Sequence, residues 1–124
     1  MSYFHNVAYV LKESDYLNIK KTLDSESLEF LSFANRSQTV SALINDKISG
    51  GLVEDKVILL YWMQVNHWGE GRTKILAQKF KEVLHDHVII GEDVGDLDLC
   101  FDLGTCILFV NSDIGFSIPE EEEK

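Results

Sequence analysis

The chain has 124 residues, 45% of them hydrophobic and 26% charged, and a formal net charge of −10. That length and composition suit one globular domain that needs no metal or disulfide to hold its core together. The longest apolar run, residues 57–63, falls far short of the roughly 20 residues of a helical membrane span, and an acidic chain without a basic groove speaks against direct nucleic-acid binding.

Residues 4–11 are apolar and β-prone and predict a first strand. Ser14 is a suitable N-cap, and Tyr16, Ile19 and Leu23 at helical spacing predict a short helix over 15–23. Leu28, Phe30, Leu31 and Phe33 fit a strand or an irregular apolar segment equally well. Val40, Leu43 and Ile44 stand at i, i+3, i+4; with Ser37 as cap and Gly50-Gly51 as stop they predict a helix over 38–48. Residues 56–65 are apolar on both faces and predict a central strand.

A turn over 66–71 then leads to the most amphipathic helix, opening at Thr73, with Ile75, Leu76, Phe80, Val83 and Leu84 on one face. Another strand begins at His87. After an acidic turn over 91–96, Leu97, Leu99, Phe101 and Leu103 alternate with Asp96, Asp98, Cys100 and Asp102. Gly104-Thr105 predicts a two-residue hairpin turn returning through 106–110, and Ile114, Phe116 and Ile118 alternate once more. The expected fold is α+β: a single two-layer domain over 1–118, mainly antiparallel sheet with about three helices packed on one face. Residues 119–124 are expected to be a solvated acidic tail.

Charge is gathered at the end of the chain. Residues 90–124 hold ten acids (Glu92, Asp93, Asp96, Asp98, Asp102, Asp113 and 120–123) against Lys124, whereas residues 1–89 are nearly neutral. A field of one sign steers partners of the other. With the turn at Gly104-Thr105, the hairpin points Leu97, Leu99, Phe101, Leu103, Cys106, Leu108 and Val110 at the core. Its other face carries Asp98, Cys100, Asp102, Ile107 and Phe109. Carboxylates beside apolar groups suit a docking surface. The expected partner-binding residues are therefore Glu92, Asp93, Asp96, Asp98, Asp102 and Phe109, with Trp68 as the aromatic most open to solvent on its glycine-bounded turn.

Other motifs carry less. Gly69, Glu70, Gly71, Arg72, Thr73 and Lys74 lie between a strand and a helix, where phosphate loops sit, but lack a Walker or dinucleotide pattern, and Glu70 places a carboxylate in the cradle. A small enzyme or nucleotide-binding module centred there is the alternative reading. His85-Asp86-His87 offers two imidazoles at a helix-to-strand junction, and a metal site would need further ligands such as Glu92 or Asp93. Cys100 and Cys106 match no zinc spacing and are expected to be buried, reduced thiols. No catalytic residue, metal or cofactor is expected. The N-terminus carries no secretory pattern, so a cytoplasmic protein is expected.

Small size, acidity, an α+β layout and the segment Glu92-Asp93-Val94-Gly95-Asp96-Leu97-Asp98-Leu99-Cys100-Phe101-Asp102 together resemble the immunity proteins of bacterial contact-dependent growth inhibition systems. The resemblance implies a non-enzymatic inhibitor that neutralises a cognate basic toxin domain, often a nuclease, with carboxylates standing in for substrate phosphates. It carries over no catalytic residues and leaves the oligomeric state open. A phage-type anionic inhibitor is a related alternative, against which the near-neutral residues 1–89 argue.

Overall fold

The computed structural model describes residues 3–118; the acidic 119–124 segment lies outside them. The elements in chain order are β1 (Phe4–Lys12), α1 (Glu13–Lys20), α2 (Ser25–Ser32), β2 (Arg36–Asp46), β3 (Gly51–Asn66), a 3-10 turn (Gly71–Thr73), α3 (Lys74–Lys81), β4 (His85–Gly91), β5 (Leu97–Phe101), β6 (Leu108–Asn111) and β7 (Asp113–Phe116). Five strands form one sheet in the order β2-β3-β1-β4-β5, every neighbour antiparallel, and β6 and β7 pair as a separate ribbon. The chain is thus α+β, with three α-helices on one face of a mainly antiparallel sheet. Among the described residues no helix is long and apolar enough to cross a membrane.

Strand alternation sorts the core into two halves. Val7, Tyr9 and Leu11 of β1, Ile58, Leu60 and Trp62 of β3, and Ile89 of β4 pack under the helices against Ile19, Phe30, Leu31, Leu76 and Phe80. Ala8, Val10, Val40, Ala42, Ile44, Val57, Leu59 and Val88 point the other way, against Leu103, Ile107 and Leu108 of the C-terminal segment. The doubly apolar run in β3 is buried on both faces for this reason, as its composition predicts. Near its end an extra residue enters β3 between the pairs Val7↔Trp62 and His5↔Val65, with Gln64 at φ 55°. The Asn6 carboxamide oxygen accepts from the Gln64 N–H there at 2.9 Å.

Two early expectations change. Residues 36–46 are a strand, not a helix: Val40, Ala42 and Ile44 are buried at period two, while Leu43 is 56% exposed. Val40, Leu43 and Ile44 satisfy a helical template as well, and pairing with β3 along the whole of β2 outweighs it. The undecided segment around Phe30 is helix α2. The Asp24 carboxylate caps it, accepting from the Ser27 N–H at 2.9 Å, and Ser27, Phe30 and Leu31 form its buried face. In α3, Leu76 and Phe80 are fully buried, but Ile75 is exposed.

The Gly104-Thr105 hairpin does not form. β5 pairs with β4, and β6 pairs with β7. The cause is Asp86, 1% exposed, whose carboxylate accepts from Gly104 N–H (2.9 Å), Thr105 N–H (3.0 Å) and the Thr105 hydroxyl (2.7 Å). These bonds hold Gly104, at φ 74°, in a crossing segment that leaves the sheet edge. Leu103 ties that crossing down on both sides, donating to His85 O (3.3 Å) and accepting from Asn45 N–H (2.8 Å). Leu103 and Ile107 are buried, so Ile107 is not on an outer face, and Cys106 is exposed rather than buried.

Candidate functional site at the edge of the sheet

The register of the last two strands decides which side chains meet. His87 lies opposite Cys100, and Ile89 opposite Asp98, so His85, His87, Asp98 and Cys100 share the helix-side face. Tyr9 of β1 lies opposite His87 on the other flank. Its ring centroid is 5.4 Å from that of His85 and 5.3 Å from that of His87.

The two imidazoles are stacked, 5.1 Å between centroids, and both are 6% exposed. His85 Nδ1 is 2.8 Å from Val83 O, His85 Nε2 is 2.9 Å from His87 Nδ1, and His87 Nε2 is 3.1 Å from Asp98 Oδ1. Both ends of this chain are acceptors: a carbonyl and a carboxylate. Three hydrogen bonds need three protons, and two neutral imidazoles supply two. Filling the chain therefore requires one imidazolium, which burial opposes: it pulls His87 below the ordinary imidazole range, partly offset by its hydrogen bond to Asp98. When both rings are neutral and the outer bonds are kept, two nitrogen lone pairs face each other across the 2.9 Å gap.

Cys100 completes the group. One ring nitrogen of each histidine and the Cys100 sulfur all lie within 4.8 Å of one another. Burial pushes the Cys100 thiol up, and it pushes the Tyr9 phenol far up, so neither is prepared as a nucleophile or base. Beside His87 and Asp98 opens a cleft of about 280 Å³, walled by Tyr9, Trp68, Lys74 and Lys81. Trp68 is half-buried and packs on the core, its ring 5.7 Å from both Tyr9 and Trp62. The neighbouring turn is closed on itself: Gly69 N–H donates to Thr73 Oγ1 at 2.8 Å and that hydroxyl donates to Glu70 O at 3.0 Å. The Gly69 amide is thereby used up inside the turn instead of facing a phosphate.

On the opposite side of β5 the picture is different. Leu97, Leu99 and Phe101 point toward the ribbon side, yet are 45%, 44% and 47% exposed. Leu99 and Phe101, with Leu108, Phe109 and Val110, line an apolar groove of about 470 Å³. Phe109 lies across Gly115 of the paired strand, where any Cβ would collide with the ring. Among the described residues no strand pairs with the outer edge of β5.

The acids follow this edge but differ in their ties. Phe4 N–H donates to Glu92 at 2.9 Å, the Tyr3 hydroxyl donates to Asp96, and the Asp93 N–H donates to the Tyr3 oxygen at 3.0 Å, so the turn is laced to the start of β1. Asp98 faces His87. The side chains of Asp93 and Asp102 are exposed. Phe109 is thus near the acidic edge but on a different ribbon from the one expected. The third member of the histidine cluster is Cys100, not Glu92 or Asp93. Its signal in the sequence was its place on a strand opposite His87, which only the β4–β5 register reveals. No protein-family model, curated protein or solved structure matches the chain.

Proposed function

We propose that this chain is a non-enzymatic inhibitory binding protein of the immunity type, which neutralises a basic toxin domain in the cytoplasm through its β5 edge. The observation that carries this reading is an edge strand whose outer side has no partner among the described residues and whose exposed Leu99 and Phe101 border an apolar groove, with Glu92, Asp93, Asp96, Asp98 and Asp102 all exposed along the same stretch of chain. An open edge offers backbone hydrogen bonds to a partner strand, the groove offers apolar area, and the carboxylates select a basic partner and speed its approach. A long apolar edge left bare is an aggregation hazard, and native chains cover or charge such edges. Acids around this one fit a surface kept soluble until its partner arrives.

The test is co-expression with, and binding to, the product of the neighbouring reading frame. Wild type should rescue growth and bind that product. Asp93→Lys with Asp102→Lys should weaken binding at least tenfold at low salt, and Phe101→Arg should abolish rescue. All three positions are exposed, so circular dichroism should be unchanged. Absence of binding by wild type, or full rescue by the variants, would overturn the reading.

A further inference from the structure

We propose that His85, His87 and Cys100 form a binding site for one zinc-type transition-metal ion, with Asp98 and Val83 O holding the two imidazoles from behind. The donor set is right: imidazole and thiolate together select borderline ions such as Zn²⁺ over the hard, oxygen-seeking Mg²⁺ and Ca²⁺. All three donors lie within 4.8 Å of one another, and both histidines are 94% buried.

The outer hydrogen bonds are the second, independent observation. A metal-bound histidine uses one nitrogen for the ion and gives its other N–H to a carbonyl or carboxylate. Here His85 Nδ1 meets Val83 O at 2.8 Å and His87 Nε2 meets Asp98 Oδ1 at 3.1 Å. That leaves His85 Nε2 and His87 Nδ1, the two nitrogens that face each other at 2.9 Å. A cation between them relieves the opposed lone pairs without disturbing either outer bond. Tetrahedral coordination separates two nitrogen ligands by about 3.3 Å and a nitrogen from a sulfur ligand by about 3.6 Å. The nitrogen pair at 2.9 Å opens by a few tenths of an ångström through ring rotation, and the Cys100 sulfur, within 4.8 Å of both, closes by up to about 1.2 Å through its own side-chain torsion. Three protein ligands leave one position of a tetrahedral ion for water or a partner's side chain.

Binding displaces the Cys100 thiol proton to solvent, so one proton is released per thiolate formed. The site lies on the helix side of the sheet, away from the apolar groove, and does not depend on the docking reading.

The test uses the full chain, stripped with chelator and titrated with Co²⁺ and then Zn²⁺. Wild type should bind one Co²⁺ with a thiolate-to-cobalt charge-transfer band and intense visible ligand-field bands, both erased by an equivalent of Zn²⁺. Cys100→Ser should lose the charge-transfer band, while Cys106→Ser keeps it. Asp98→Asn should keep the band and weaken affinity about tenfold or more. A melting curve on each stripped variant confirms folding. Absence of a one-to-one cobalt complex, a band that survives Cys100→Ser, or a band that vanishes with Cys106→Ser would overturn the assignment.

Discussion

Asp86 is the residue on which the C-terminal third of the fold turns, and its replacement gives the sharpest stability prediction. Its buried carboxylate receives three hydrogen bonds, at 2.9, 3.0 and 2.7 Å, all from Gly104 and Thr105. A hydrogen bond to a charged group contributes about 1.5–3 kcal/mol, so three give a gross value of about 4.5–9 kcal/mol. Gly104 and Thr105 are only half-buried; water reaches the freed donors and brings the net loss for Asp86→Ala down to about 3–4 kcal/mol. Thr105→Val removes one of the three donors and also the hydroxyl that accepts from the Ile107 N–H at 3.3 Å, and should cost about 1–2 kcal/mol. Equilibrium urea unfolding of both variants and of the double mutant closes the cycle. A coupling of about 1 kcal/mol or more is expected, because the Thr105 hydroxyl has lost its carboxylate acceptor once Asp86 is gone. A loss below about 1 kcal/mol for Asp86→Ala, or strict additivity, would show that something else holds the crossing segment.

Two further predictions concern the helix side. Phe80 is fully buried with its ring 4.6 Å from Tyr9, so Phe80→Ala should cost about 3–5 kcal/mol in urea unfolding, and a cost under about 1 kcal/mol would contradict its central place. The Asp24 carboxyl is held below its ordinary value of 3.8 by hydrogen bonds from Ser27, first side chain and then backbone. The folded chain therefore binds that proton less readily than the unfolded one. The cap's contribution is complete above the ordinary aspartate value and falls away as pH drops through the folded one. Measured from pH 6 down to pH 3, the stability gap between wild type and Asp24→Asn should narrow; a gap that stays constant would remove Asp24 from the titration.

What the sequence made legible was whatever depended on one element alone. The double-faced apolar run of β3, the alternation in β5 and the amphipathic α3 each declare themselves through local periodicity, and so does the α+β class. Wherever two templates fit the same residues, tertiary pairing decided. Val40, Ala42 and Ile44 at period two compete with Val40, Leu43 and Ile44 at helical spacing, and the long partner strand β3 settled it. The hairpin expectation failed for a related reason: Gly104-Thr105 has turn chemistry, but a carboxylate 18 residues earlier captures its amides. Losing that hairpin moved Asp98 and Cys100 to the helix side, where they meet His87. The acidic edge was visible as composition. The histidine–cysteine cluster was not, because its members come together only through a cross-strand register that no spacing rule encodes.

Hydrogen exchange on the complex with the neighbouring reading frame's product tests most directly whether the β5 edge is the working surface. New protection is expected at the amides of residues 97–101 and 108–110, with α1 and α2 unchanged. Protection that appears on the helical face and leaves residues 97–101 exchanging as in the free protein would contradict it.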